Sequence, residues 1–152
     1  MSAGSTSSRR TLEELLGTAL SRIARLEPAE AFAVARAGAM LIDIRSAADR
    51  QRDGIVPGSL HIPRTVLEWR LAPDSEWRSP HIGDLDQQVI LICDHGCSSI
   101  LAAATLVDLG FARAGDVIGG YAAWREAGLP CARVRRGGRA LGEHAGMGGP
   151  DR

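Results

Sequence analysis

The sequence predicts an α/β domain in which a central parallel sheet carries helices on both faces. Residues 40–44 and 89–93 are short runs dominated by large apolar side chains, the pattern of strands buried on both faces. Apolar residues at three- and four-residue spacing mark helices around these runs. Gly-containing turns join the segments, so strands alternate with helices. That order implies parallel pairing through right-handed crossovers, with a helical layer on each side of the sheet.

The elements follow in order. Residues 1–10 are rich in Ser and Gly and are expected to be flexible. Thr11 suits an N-cap with Glu14 closing a capping box, and Leu12, Leu15, Leu16, Ala19, Leu20, Ile23 and Leu26 recur at helical spacing, so a helix is expected over 11–26. Pro28 opens a second helix that buries Phe32 and Val34 and stops at Gly38. The first core strand, 40–44, ends at Asp43 and Arg45. Residues 54–63 are turn-rich with a brief extended piece at 59–62, and 64–71 reads as a short helix before a polar loop reaching Asp86. The second core strand, 89–93, runs into the tight loop Asp94-His95-Gly96. Ser98 or Ser99 then caps a helix that reaches Leu109. A third strand is expected at 116–118, followed by Gly119-Gly120 and a helix to Gly128. Trp124 and Trp69 are expected in the core. One domain spanning 11–132, with its core at 28–130, is followed by an Arg/Gly-rich tail, 133–152, with no apolar period.

Composition narrows the function. A chain of 152 residues with 45% apolar residues can bury one core. Acidic and basic side chains balance at 18 each, which offers no field to nucleic acid or an anionic membrane. Every basic residue besides histidine is Arg, so Schiff-base chemistry and a phosphate-binding lysine are excluded. The three cysteines, Cys93, Cys97 and Cys131, are too few for a disulfide framework and imply a reducing, cytoplasmic setting. No apolar run is long enough to span a bilayer, and the Glu and Arg residues after Ser8-Arg9-Arg10-Thr11 argue against an export signal.

Cys93 stands where a parallel sheet binds ligands, outside the carboxyl end of a strand and just before a helix N-terminus. The amides of Asp94, His95, Gly96, Cys97, Ser98 and Ser99 can cradle an anion there, and the same field stabilises a thiolate. The alternative is that Cys93 is a small hydrophobe closing the strand. His95 is either an acid–base group or a solvated loop residue. Cys97 either resolves an oxidised or persulfidated Cys93 or packs inside the loop. Cys131 has no expected role.

Four motifs together resemble the rhodanese-like sulfurtransferases over residues 28–130. They are Leu41-Ile42-Asp43-Ile44-Arg45, the stretch from Gly54 through Pro57-Gly58 to Ile62-Pro63, Cys93-Asp94-His95-Gly96-Cys97-Ser98-Ser99, and Gly119-Gly120-Tyr121-Ala122-Ala123-Trp124 with Gly128-Leu129-Pro130. The resemblance implies a three-layer rhodanese-like fold to which the first helix is an addition. It also implies that Cys93 takes a sulfane sulfur from a small donor, thiosulfate or a persulfide, and passes it to a thiophilic acceptor such as a thiol, cyanide or a partner protein. No metal or organic cofactor is implied. Asp43, Arg45 and Arg64 are expected to support the loop, the first two as an ion pair; Arg64 either reaches its mouth or is a plain surface arginine. Well-studied members carry Arg or Lys one and five residues after the cysteine, where this chain has Asp94 and Ser98. If the Asp94 carboxylate faces the pocket, a like charge at about 4 Å opposes an anionic donor by roughly 1–4 kcal/mol; if it faces outward, it pairs with an Arg. A non-turnover sulfur carrier or binding module is the alternative to catalysis. A monomer and a homodimer both fit the first helix.

Overall fold

A computed structural model describes residues 8–135. The chain runs α1 (Leu12–Leu20), β1 (Ala24–Leu26), α2 (Pro28–Arg36), β2 (Met40–Asp43), α3 (Ala47–Asp53), β3 (Leu60–His61), a 3-10 turn (Arg64–Val66), α4 (Leu67–Leu71), β4 (Val89–Ile92), α5 (Ser98–Asp108), β5 (Ala114–Val117) and α6 (Gly120–Glu126). The five strands are all parallel in the order β1-β5-β4-β2-β3. The expected α/β class with helices on both faces is what the structure has. No helix among the described residues is long and apolar enough to cross a membrane.

Successive side chains of a strand point to opposite faces, and β4 shows what that does here. Val89 and Leu91 pack with Leu67 and Leu71 of α4 and Ala102, Ala103 and Leu106 of α5. Ile90 and Ile92 pack on the other side with Ala31 of α2 and Tyr121 and Trp124 of α6. An unbroken apolar strand is therefore needed to serve two cores at once. The third cluster, Ala19 with Ile100 and Ala104, lays α1 across the outer side of α5.

The sequence expectation fails in four places. The helix expected over 11–26 ends at Leu20, and β1 follows. Ile23 and Leu26 share a face in a helix, but in extended chain their odd spacing sends them to opposite sides of the sheet. Ile23 joins the α5 side and Leu26 the α2–α6 side. Helix α3 was not expected, because AADRQRD has no apolar period. Its signal was the Ser46 side chain, which accepts from the Asp49 N–H as an N-cap. Neither Ser98 nor Ser99 caps α5; Cys97 holds that position, with no side-chain cap. Trp124 is fully buried, but Trp69 is 51% exposed. The segments expected to be flexible, 1–10 and 133–152, lie outside the described residues except at 8–10 and 133–135. Ala132 is tied to Ile55 by a pair of backbone hydrogen bonds of 2.7 and 2.9 Å.

Crossovers leave β4 toward β5 and β2 toward β3, so the loops after β2 and β4 diverge and open a crevice at the carboxyl end of the sheet. A buried ion-pair cluster closes the β2 side of that crevice. Arg45 forks onto Asp43 at 3.0 and 2.8 Å and donates to the Gly54 carbonyl at 2.8 Å, with Tyr121 beneath its guanidinium at 3.9 Å. Arg50 of α3 approaches the same Asp43 carboxylate at 3.3 Å. All three charged side chains are out of solvent. Asp43→Asn deprives both guanidinium groups of their shared charge, and urea unfolding should show a loss of about 3–5 kcal/mol.

Candidate active site

Cys93 follows β4 at the point where the loops diverge, and residues 93–97 turn into α5. The turn has a packing requirement that explains two glycines. Gly96 lies at φ +78°, and an added Cβ would stand 2.6 Å from the Gly119 nitrogen. At Gly120, φ +63°, it would stand 2.4 Å from the Cys93 carbonyl oxygen and 2.7 Å from the Gly96 nitrogen. The two turns thus touch backbone to backbone. The contact also satisfies hydrogen bonds, because the first N–H groups of a helix have no partner of their own. Tyr121 N–H donates to the Cys93 carbonyl at 2.7 Å and Ala122 N–H to the Asp94 carbonyl at 3.0 Å. The loop caps α6, and α6 holds the loop.

With its carbonyls engaged behind it, the loop presents N–H groups to the sulfur. Gly96 N–H donates to Cys93 Sγ at 3.1 Å, and the sulfur lies 3.2 Å from the Ser99 hydroxyl oxygen. Burial alone pushes the thiol up. The Ser99 hydroxyl and N–H, the Ser98 hydroxyl and the Gly96 N–H outweigh burial and hold Cys93 below its ordinary value. Ser99 in turn donates to Asp116 at 2.7 Å, and Asp116 is forked by Arg25.

A cavity of about 330 Å³ opens over the sulfur. Arg45, Ser46 and Asp49 line it from the β2 side, and Cys93, Asp94 and His95 from the β4 side. Cys97 and Ser98 complete its rim. A second cavity of about 380 Å³ shares Asp94 and His95 and continues toward Arg52 and Arg125. Asp94 lines the cavity, and its carboxylate lies 3.9 Å from Arg45, which lines the same cavity from the other side. Burial and then the neighbouring Asp49 carboxylate push the Asp94 carboxyl up, against the pull of Arg45.

The structure brings Cys93, Asp94, His95, Gly96, Cys97, Ser98, Ser99, Asp43 and Arg45 to one end of the sheet. Of the two readings of Arg64, the structure fits the surface arginine: it pairs with Glu68 one helical turn away at 2.8 Å and does not line the Cys93 cavity. Cys97 is exposed rather than packed inside the loop, and Cys131 is exposed as well. The sequence reading missed Asp49, Arg25 and Asp116. Asp49 belongs to the unrecognised α3. The helical spacing over 11–26 hides Arg25, and Asp116 stands in the sequence only at the start of a strand; a buried acid inside an apolar strand is itself a sign that a partner is needed.

Residues 28–127 match the sequence model of the rhodanese-like domain. The thiosulfate sulfurtransferase GlpE of Pseudomonas savastanoi pv. phaseolicola is 34% identical over 106 residues, covering 70% of this chain and 91% of that protein. Among solved structures, a Rhodopseudomonas palustris protein of unknown function, described as a possible tyrosine phosphatase, superposes with a TM-score of 0.75 at 33% identity over 83% of this chain and 97% of its own. The polysulfide-sulfur transferase homodimer of Wolinella succinogenes superposes with a TM-score of 0.63 at 25% identity, covering 80% of this chain and 87% of that one.

Two substitutions test the geometry. Ser99→Ala removes the hydroxyl that lies 3.2 Å from the sulfur and helps to hold the thiol below its ordinary value, so the pH midpoint of Cys93 alkylation should rise. Gly120→Ala drives a Cβ into the loop from a left-handed conformation. It should lower stability by about 2 kcal/mol or more in chemical denaturation and weaken the protection of the Gly96 amide from hydrogen exchange.

Proposed function

The chain belongs to the rhodanese-like domain family, and from that membership we propose that it is a sulfurtransferase whose nucleophile is Cys93. The observation that carries this reading is the cavity-facing sulfur itself, held by Gly96 and Ser99 and kept below the ordinary thiol range. The Cys93 thiolate attacks the sulfane sulfur of a small donor, thiosulfate or a persulfide. The donor's S–S bond breaks, and sulfite or a thiolate leaves with the bonding electrons. An acceptor then attacks the terminal sulfur of the Cys93 persulfide, and the thiolate of Cys93 is the second leaving group. The acceptor is a thiol, cyanide or a partner protein. Electrons balance within each displacement, so the scheme draws on no external oxidant.

The loop amides from Asp94 to Ser99 hold the negative terminal sulfur, as fixed dipoles hold developing charge in acyl transfer. Asp43 and Arg45 brace the β2 side of the cavity, and His95 stands at its rim. The name of the Pseudomonas relative favours thiosulfate as a donor, and that of the Wolinella neighbour favours longer sulfane chains. The phosphatase description of the Rhodopseudomonas protein does not suit this loop. None of the seven residues after Cys93 is an arginine that can clamp a phosphoryl group. A free-thiol mechanism fits a reducing compartment, and we place the protein in the cytoplasm on that ground.

Intact mass measured after incubation with thiosulfate or with glutathione persulfide tests the reading. A gain of one sulfur should appear in the wild-type protein and vanish in Cys93→Ser. Because Asp94 opposes a dianion, Asp94→Asn should speed loading from thiosulfate by about 5-fold or more, on a like-charge cost of roughly 1 kcal/mol or above. No adduct from either donor rejects the assignment.

A further inference from the structure

The loop brings no cation to Cys93, yet one guanidinium reaches it from another strand. Arg25 of β1 forks onto Asp116 of β5 at 2.8 and 3.1 Å, and its Nη2 also donates to the Gly96 carbonyl at 2.9 Å. Asp116 and Ser99 are fully buried. The Ser99 hydroxyl donates to Asp116 at 2.7 Å, and its oxygen lies 3.2 Å from Cys93 Sγ. A single chain of contacts thus runs from Arg25 through Asp116 and Ser99 to the sulfur. Neither Arg25 nor Asp116 lines the cavity in which a donor would sit.

We propose that Arg25 and Asp116 are positioning residues that set the thiol–thiolate balance of Cys93 by opposed actions, Asp116 favouring the thiol and Arg25 the thiolate, through the Ser99 hydroxyl. The inference rests on the reading of Cys93 as the sulfur-accepting nucleophile. Ser99 has one proton to donate. With a carboxylate at 2.7 Å that proton goes to Asp116, which leaves the oxygen's lone pairs to accept the Cys93 S–H. When the thiol loses its proton to solvent, the hydroxyl turns to the sulfur and leaves the carboxylate. Asp116 then keeps the two N–H groups of Arg25, so no buried acceptor is stranded.

Asp116 therefore competes with the thiolate for a donor and adds a like charge one hydroxyl away. Arg25 blunts that competition, contributes its own positive charge, and fixes Gly96, whose N–H faces the sulfur. The remaining charged and titratable groups around Cys93 are Arg45 and Asp49 from the β2 side and Asp94, His95 and Cys97 of its own loop. All of these stay in place when the pair is altered.

The test is the pH dependence of iodoacetamide alkylation of Cys93, resolved by peptide mass so that exposed Cys97 and Cys131 do not contribute. Asp116→Asn should move the midpoint down and Arg25→Gln should move it up, each by about one pH unit, as charges at this separation do. The double variant should return close to wild type. A strap that only holds the loop would shift both single variants the same way, toward an ordinary cysteine. Should Arg25→Gln fail to fold because Asp116 is stranded, Arg25→Lys takes its place and should give a smaller upward shift. Any pattern other than opposite signs overturns the proposal. Alkylation needs no sulfur donor. Opposite shifts in a protein that accepts no sulfur would therefore reject the sulfurtransferase reading and leave this assignment standing.

Discussion

A loop that turns its N–H groups toward one sulfur must turn its carbonyls away, and buried carbonyls need donors. In this molecule the donors come from the unpartnered first turn of α6, whose Tyr121 and Ala122 amides reach the Cys93 and Asp94 carbonyls. Each turn completes the other's hydrogen bonding. The distance that this requires leaves no room for a Cβ on either Gly96 or Gly120. Much of the arrangement at the carboxyl end of the sheet follows from that contact. It ties the sequence after β4 to the sequence after β5, and it directs Tyr121 under the Arg45 guanidinium that braces the opposite wall.

Two guanidinium–carboxylate forks flank the loop, the buried pair Arg45 with Asp43 on one side and the half-buried Arg25 with the buried Asp116 on the other. Such pairs are weak arguments for net stability, because removing two charges from water costs about as much as their attraction returns. They are strong constraints on geometry, since breaking either one strands a charge out of solvent. Each fork also spends a spare N–H on a backbone carbonyl, Gly54 in one case and Gly96 in the other. The forks fix the two walls between which the cavity opens. The polar residues there read as scaffolding for the reaction more than as a contribution to folding.

The apolar runs at 40–44 and 89–93 were enough to place the two central strands, because a strand buried on both faces carries apolar side chains toward both, Asp43 being held at the end of its strand by Arg45. The Cys93 loop was legible as a place for a related reason: it lies between such a strand and a helix N-terminus, where a parallel sheet opens its crevice. What stayed hidden was short or polar. β1 has three residues, and Ile23 and Leu26 satisfy a helical period as well as an extended one until the sheet assigns them to opposite faces. AADRQRD carries only a cap signal, yet it supplies Asp49 and the buried Arg50. Arg25 and Asp116 are 91 residues apart, and no local pattern announces that parallel pairing of β1 with β5 puts them side by side. Arg64 shows the opposite case, a pairing that is local, with Glu68 one helical turn away.

A loop without cations still faces the problem that cations solve in related proteins, and the molecule meets it with dipoles and a neutral pair. Amides and hydroxyls support a thiolate without the long-range field that would depress it strongly. That arrangement suits the role proposed for Cys93, nucleophile first and leaving group second. A lower thiol pKa raises the thiolate fraction and improves departure, but it weakens attack, and the best compromise lies near ambient pH. Asp94 and Asp49 at the cavity rim keep the outer field from becoming positive, so anionic donors gain little from electrostatic attraction. Recognition then has to come from fit within the cavity over Cys93 and from its continuation past His95 toward Arg52 and Arg125. That continuation is of mixed charge, because Arg52 pairs with Asp49 and Asp53 and Arg125 stands among Asp53, Asp94 and Glu126. A longer donor or a partner lying there would meet paired polar groups and no positive field.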